Sequence, residues 1–130
     1  DTLFHYVDSG KMIVGGGYAV DGRPKSAGTP VRNEAHNGLK NVRGTIAMAR
    51  DAAAGIDSAT SQFFINLADS PSFDHRGEGA DEYGYCVFGA VVTGLDVAEQ
   101  VSRSPTRDQG GDLAQTPVPP VVIQSIEVVE

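Results

Sequence analysis

The apolar residues of this chain fall in short runs separated by glycine- and proline-rich stretches, and this pattern constrains the fold most. Residues 2–7 form a run of aromatic and β-branched side chains, and a second run at residues 12–14 leads into Gly15, Gly16 and Gly17. Such runs between turn formers are typical of strands, and the glycines indicate a sharp bend or a close approach to a ligand. With 16 Gly and 7 Pro in 130 residues, a helical bundle is excluded.

The rest of the chain predicts four more strands and one helix. The strands are expected at residues 44–49, 62–67, 85–91 and 120–129. Residues 95–101 have the spacing of a short amphipathic helix, which Thr93 would cap. Residues 21–32 and 68–84 are predicted loops. Many short strands predict one β-barrel or sandwich domain over residues 1–130, and a barrel would leave no exposed strand edges.

The charge balance and the apolar pattern exclude two classes of partner. A formal net charge of -7 disfavours nucleic acids, because their phosphate backbone requires clustered Lys and Arg. No apolar run approaches the ~20 residues of a membrane-spanning helix, so no membrane partner is predicted. Cys86 is the only cysteine, which excludes an intrachain disulfide. A cytoplasmic and an exported bacterial location both remain open.

Three phrases, in this order along the chain, carry a family resemblance. They are Phe4-His5 followed by Met12 and the three glycines, Gly-Thr-Ile-Ala-Met-Ala-Arg at residues 44–50, and Ser-Gln-Phe-Phe-Ile-Asn at residues 61–66. Together with Gly-Tyr-Cys-Val-Phe-Gly at residues 84–89, they resemble the cyclophilins, and most closely the bacterial branch. The resemblance implies a mainly β fold, an antiparallel β-barrel with a short helix and long loops. It also implies peptidyl-prolyl cis-trans isomerase activity on X-Pro bonds in peptides and folding proteins.

A cyclophilin normally begins with two strands and a helix ahead of the Phe-His phrase, and the sequence has none of them. The resemblance therefore implies the C-terminal larger part of the family's domain, with a barrel that is incomplete at its N-terminal side. Another segment or a partner would supply the missing strands, because unpaired strand edges and core side chains would otherwise be exposed.

The resemblance also implies the residues of the site. Isomerisation breaks no bond, so the enzyme must grip the proline ring, hold the peptide backbone and place a hydrogen-bond donor near the prolyl nitrogen. The catalytic positions are Tyr6, where the family has its arginine, and Gln62. Substrate binding falls to His5, Met12, Ala49, Arg50, Phe64, Phe73 and Tyr85, and of these Met12, Phe64 and Phe73 are expected to shape one apolar cleft. Neither a cofactor nor a metal ion is required.

Three site positions depart from the family pattern. Tyr6 replaces the arginine, Lys11 stands where an aromatic is expected, and Val14 replaces a glutamine. Loss of the charge-assisted donor is expected to cost roughly 2 to 4 kcal/mol of transition-state stabilisation, about a hundredfold in rate. The Tyr6 hydroxyl or the Lys11 ammonium would be the replacement donor. We therefore predict a weakened isomerase, with a noncatalytic proline-peptide-binding or assembly module as the alternative.

Several other interpretations of single features are less favoured. His5, His36 and His75 lack the close spacing of zinc ligands, so His5 taken alone is a structural strand residue. Cys86 is expected to be an inert buried thiol rather than a nucleophile. The three glycines lack the Lys-Ser/Thr of a phosphate loop, and the acidic residues 74–82 lack the ligand spacing of a calcium loop.

Overall fold

The structure is a computed structural model that describes residues 1–129. Within these residues the strands are β1 (Thr2–Asp8), β2 (Met12–Ala19), β3 (Thr45–Met48), β4 (Phe63–Asn66), β5 (Val87–Ala90), β6 (Thr106–Arg107), β7 (Thr116–Pro117) and β8 (Val122–Ile123), and the α-helix is α1 (Leu95–Ser102). The predicted fold class, mainly antiparallel β with one short helix, is confirmed. Within the described residues, no helix has the length and apolarity that crossing a bilayer demands.

Six of the strands form one antiparallel sheet in the order β5-β3-β4-β2-β1-β8, and β6 and β7 form a separate two-stranded ribbon. Within residues 1–129, no pairing joins the edge strands β5 and β8. The described residues therefore form an open sheet rather than a closed barrel, with β5 and β8 as its edges.

The two faces of the sheet have different neighbours. One face, called the site face below, bears a row of cross-strand neighbours in the order Val87, Ala47, Phe64, Val14 and Tyr6. Val7 and Ile13 point to the opposite face, where they are buried with Ala98 of α1. Successive side chains of a strand point to alternate faces of the sheet. The helix α1 covers the face of Val7 and Ile13, and loops cover the site face.

The three consecutive glycines lie inside β2 rather than at a bend, which corrects the expectation from the sequence. A Cβ on Gly16 would lie 2.4 Å from the carbonyl oxygen of Ser61, and a Cβ on Gly17 would lie 2.5 Å from the side-chain amide of Gln62. Gly16 also has a φ of 92°, which disfavours any side chain. Gly16 and Gly17 are therefore required because Ser61 and Gln62 approach their backbone too closely to leave room for a Cβ.

Two further expectations are wrong in detail. The N-cap of α1 is Gly94, in a left-handed conformation with a φ of 90°, so Thr93 does not cap the helix. The last strand is limited to Val122–Ile123 instead of residues 120–129, and Val128 is 90% exposed. Alternation of apolar residues predicted a long strand, but β1 pairs with only these two residues of the segment.

Candidate active site

The site face carries a cleft of about 750 Å³ at the end of the row where Tyr6 and Val14 lie. This volume is within the range of ligand pockets, roughly 300 to 1,000 Å³. Five of the site residues predicted from the sequence line it: His5, Tyr6, Ala49, Arg50 and Gln62. Its walls come from β1, β2, the segment between β3 and β4, and the turn before β7.

A β-bulge in β1 places two adjacent side chains in the cleft. Phe4 pairs with Gly15 and Tyr6 pairs with Val14, so β1 advances by two residues while β2 advances by one. The extra residue interrupts the alternation of faces, and both His5 and Tyr6 line the cleft as a result. Nothing in the sequence marks this register shift.

The His5 ring forms a buried wall of the cleft. The residue is 3% exposed, and its ring centroid lies 4.6 Å from that of Tyr18. Its Nδ1 is buried and has no hydrogen-bond partner among the described residues. Burial lowers the pKa of His5 because the charged ring would lose its hydration, and the nearby Asp112 carboxylate opposes this effect in part. The ring is therefore neutral at pH 7.

The lowered pKa of His5 predicts a loss of stability in mild acid. The unfolded chain takes up a proton at His5 near its usual pKa, about 6.5, whereas the folded chain resists protonation. The stabilising contribution is therefore complete above that pH and is lost as the pH falls through the folded-state pKa. We expect His5→Gln to flatten the fall in the free energy of unfolding below about pH 6.5, measured by urea denaturation. His36→Gln, at an exposed histidine, is the control; equal pH dependence in wild type and His5→Gln would contradict this account.

Tyr6 stands where the family resemblance places an arginine, and its side chain lines the cleft. Its hydroxyl lies 3.5 Å from Nε2 of Gln115, at the limit of a hydrogen bond. Lys11 is exposed in the turn between β1 and β2 and is not among the described residues that line the cleft. Of the two replacement donors considered, only the Tyr6 side chain therefore lies in the cleft.

The Arg50 guanidinium is held against the ring of Tyr85. Its Cζ lies 5.0 Å from the ring centroid, within the range of a cation–π interaction. Nη2 donates to the carbonyl oxygens of Gly84 at 3.3 Å and Ala80 at 3.4 Å. Nε and Nη1 are buried and lack hydrogen-bond partners within the described part of the chain. Part of the Arg50 guanidinium is thus engaged in contacts within the protein.

Ala49 and Gln62 are joined through the main chain. The Ala49 N–H donates to the Gln62 carbonyl oxygen at 3.0 Å, so this N–H is not free for a peptide. The Gln62 side-chain amide lies against Gly17, where the missing Cβ leaves it room. A primary amide offers two donors and an acceptor, which suits it to hold a peptide backbone.

Three aromatic rings form a cluster on the site face. The ring centroids of Phe64, Phe73 and Tyr85 lie 5.2 to 5.7 Å apart in edge-to-face pairs. Phe64 is only 3% exposed, since the other two rings pack over it. Val14 and Ala49 pack against this cluster and also line the cleft, so the two regions are continuous.

The expected apolar cleft between Met12, Phe64 and Phe73 is not open in this structure. Met12 lies on the site face, half-buried and paired with Asn66, outside the lining of the cleft. Phe64 and Phe73 contact each other instead of facing solvent across a gap. The structure therefore separates the predicted residues into a polar cleft and an adjoining aromatic cluster.

A buried asparagine that sequence reasoning missed holds the aromatic cluster in place. Asn41 Nδ2 donates to the carbonyl oxygens of Phe73 at 3.1 Å and Tyr85 at 3.2 Å. Its Oδ1 accepts a hydrogen bond from Asn66 Nδ2 at 3.1 Å. This network ties the long loop before β5 to the end of β4.

Five further lining residues were also missed: Asp51, Ser58, Thr60, Gly111 and Asp112. Asp51 directly follows the recognisable phrase that ends at Arg50, and this adjacency was the only signal for it. Asp112 lies in a polar loop without periodicity, so no sequence signal indicated it. Its carboxylate accepts a hydrogen bond from the Tyr18 hydroxyl at 3.0 Å.

The less favoured interpretations find no support in the geometry. Cys86 is half-buried, and burial raises the pKa of its thiol, so it is a poor nucleophile. His36 and His75 are distant in sequence, but both lie beside Tyr83. The centroids of the two imidazole rings are 6.4 Å apart. Within residues 1–129, no cluster of three His, Cys, Asp or Glu side chains could hold a metal ion.

Sequence comparison identifies related proteins along the whole chain. The family model for cyclophilin type peptidyl-prolyl cis-trans isomerases matches residues 1–128. Peptidyl-prolyl cis-trans isomerase A of Dickeya dadantii is 47% identical over 99% of this chain, which spans 65% of that protein's length. Peptidyl-prolyl cis-trans isomerase B of Escherichia coli is 44% identical over 100% of this chain and 77% of its own length.

Structure comparison gives the same fold. A cyclophilin type peptidyl-prolyl cis-trans isomerase of Cryptosporidium parvum, crystallised in the presence of the dipeptide Ala-Pro, superposes with a TM-score of 0.71. The match covers 100% of this chain and 75% of that one, at 24% sequence identity. From the family match and the bacterial relatives, the chain belongs to the cyclophilin-type peptidyl-prolyl cis-trans isomerase family.

Proposed function

We propose that the chain catalyses the cis-trans isomerisation of X-Pro bonds in peptides and folding proteins, at a reduced rate. The observation that carries the proposal is the convergence of His5, Tyr6, Ala49, Arg50 and Gln62 on one cleft. The proposed reaction needs neither a cofactor nor a metal ion, because rotation about the amide makes and breaks no covalent bond.

The barrier to this rotation, ~20 kcal/mol, comes from amide resonance. As the bond twists, the prolyl nitrogen becomes pyramidal and a better hydrogen-bond acceptor. A donor that engages only the twisted state lowers the barrier without tightening ground-state binding. We assign this donor to the Tyr6 hydroxyl and the holding of the peptide backbone to the Gln62 amide. A neutral hydroxyl is a weaker donor than a guanidinium, which accounts for the reduced rate.

The proline ring is proposed to pack on Val14 and Ala49, the apolar part of the cleft. Phe64, Phe73 and Tyr85 stay proposed substrate-binding residues, because Val14 and Ala49 connect the aromatic cluster to the cleft. Met12, on the same face of the sheet, stays a proposed substrate-binding residue on the family resemblance alone. The presence of Ala-Pro with the Cryptosporidium parvum protein supports a prolyl dipeptide as the smallest useful probe.

A noncatalytic peptide-binding or assembly module is the second candidate, and two observations favour it. Tyr6 replaces the family's arginine, and the sheet is open at β8, beyond which Ile126 and Val128 are 75% and 90% exposed. In this role a partner segment would pair with the free edge of β8 and cover these side chains.

The isomerisation rate of an Ala-Pro peptide separates the two candidates. We expect the cis-to-trans rate to rise in proportion to protein concentration. Gln62→Ala should lower kcat/KM by about five- to tenfold, the value of one neutral hydrogen bond. Thr29→Ala, in an exposed loop, is the control. A wild-type rate equal to the uncatalysed background would end the isomerase proposal and leave the binding module.

A further inference from the structure

The cleft carries more negative than positive charge. Two carboxylates line it, Asp51 and Asp112, against the single guanidinium of Arg50. Arg50 is engaged with the ring of Tyr85 and with two main-chain carbonyl oxygens. Asp51 Oδ1 accepts the N–H of Ala53 at 2.9 Å and is committed to its own loop. Asp112 also has one engaged oxygen, but through Tyr18 it lies close to His5, the neighbour of the proposed donor Tyr6.

Asp112 is held in place beside the buried ring of His5. The Tyr18 hydroxyl donates to Oδ2 of Asp112 at 3.0 Å, which holds the carboxylate against the ring pair of Tyr18 and His5. His5 is 3% exposed and lines the cleft, and its Nδ1 has no hydrogen-bond partner among the described residues.

We propose that Asp112 selects substrates in which lysine or arginine is next to the proline. The cationic head of such a side chain carries several N–H donors. These donors would bind the Asp112 carboxylate, which lines the cleft. This inference rests on the proposed function and deepens it, since it names the substrate class of the same cleft.

The volume of the cleft allows this arrangement. About 750 Å³ is more than a pyrrolidine ring occupies, so a neighbouring side chain has room. The proline ring would pack on Val14 and Ala49, and the cationic side chain would extend toward Asp112. The chain's net charge of -7 also attracts cationic peptides without specificity, so the experiment must separate local from overall charge.

The test uses two series of prolyl peptides that differ only in one residue. That residue is lysine, glutamine or glutamate, placed before the proline in one series and after it in the other. At low ionic strength we expect kcat/KM in one series to be about three- to tenfold higher for lysine than for glutamate, with glutamine between. Asp112→Asn should bring the ratio close to one, because an asparagine keeps an oxygen for Tyr18 but has no charge.

Glu127→Gln makes the same change in overall charge at an exposed site outside the cleft, and it should leave the ratio unchanged. The inference is overturned if lysine is not preferred in either series, if Asp112→Asn keeps the preference, or if Glu127→Gln removes it equally. The peptide dissociation constants are measured in parallel by NMR titration. Absence of turnover with all peptides would overturn the isomerase proposal alone. The ratio of the dissociation constants of the glutamate and lysine peptides would then test the selectivity of Asp112. Absence of binding would overturn both.

Discussion

Replacement of Tyr6 by arginine is expected to raise kcat/KM for an Ala-Pro peptide by about a hundredfold. Tyr6 lines the cleft next to Val14, so an arginine at the same position of β1 would extend into the same space. Its guanidinium would supply a charge-assisted donor to the prolyl nitrogen, worth roughly 2 to 4 kcal/mol more in the transition state than the tyrosine hydroxyl.

Two other replacements at this position test the reason for the gain. Tyr6→Lys adds a charge without the planar fork and should recover only part of the rate. Tyr6→Phe removes the hydroxyl and should lower kcat/KM below that of the wild type, since the only donor at this position is lost. The measurement is cis-to-trans exchange by NMR with unfolding curves for each variant. A folded Tyr6→Arg variant no faster than the wild type would refute the assigned role of this position.

Gly16→Ala is expected to destabilise the chain by about 3 kcal/mol. The φ of 92° costs a residue with a Cβ roughly 1 to 2 kcal/mol. The added Cβ would also lie 2.4 Å from the Ser61 carbonyl oxygen, and such overpacking costs roughly 1 to 3 kcal/mol more. The free energy of unfolding from urea denaturation measures the sum.

Gly10→Ala is the matched control for this prediction. Gly10 also has a positive φ, 70°, but a Cβ there would meet no atom within 4 Å. Its alanine variant should therefore lose only the conformational part, roughly 1 to 2 kcal/mol. Equal losses at the two positions would show that the close approach of the Ser61 carbonyl oxygen to Gly16 is not what requires the glycine.

The strands β1 to β5 were predictable because each is encoded in a short local run, whereas β6, β7 and the short extent of β8 were not predicted. The run at residues 44–49 became β3 (Thr45–Met48), and the run at residues 62–67 became β4 (Phe63–Asn66). Long-range contacts were not predictable in the same way. The glycines of β2 signal freedom of the backbone, but only the position of Ser61 and Gln62 determines that the freedom serves a close approach instead of a bend.

The site was partly predictable for the same reason. Ala49, Arg50 and Gln62 lie in recognisable phrases, and the structure places them together in the cleft. Asp112 lies in a loop without a pattern and reaches the cleft only because the turn before β7 folds against β1, where Thr116 donates to the carbonyl oxygen of His5. Packing that depends on distant segments leaves no local signal in a sequence.

The central claim is that the cleft beside His5 and Tyr6 binds prolyl peptides. Titration of the isotope-labelled chain with an Ala-Pro peptide tests it most directly, through the backbone amide signals that shift. The account predicts the largest shifts at residues 5, 6, 49 and 62, in or beside β1, β3 and β4. Shifts confined to the groove beside Val31 and Phe88, which shares only Arg50 with the cleft, or no shifts at saturating peptide, would contradict it.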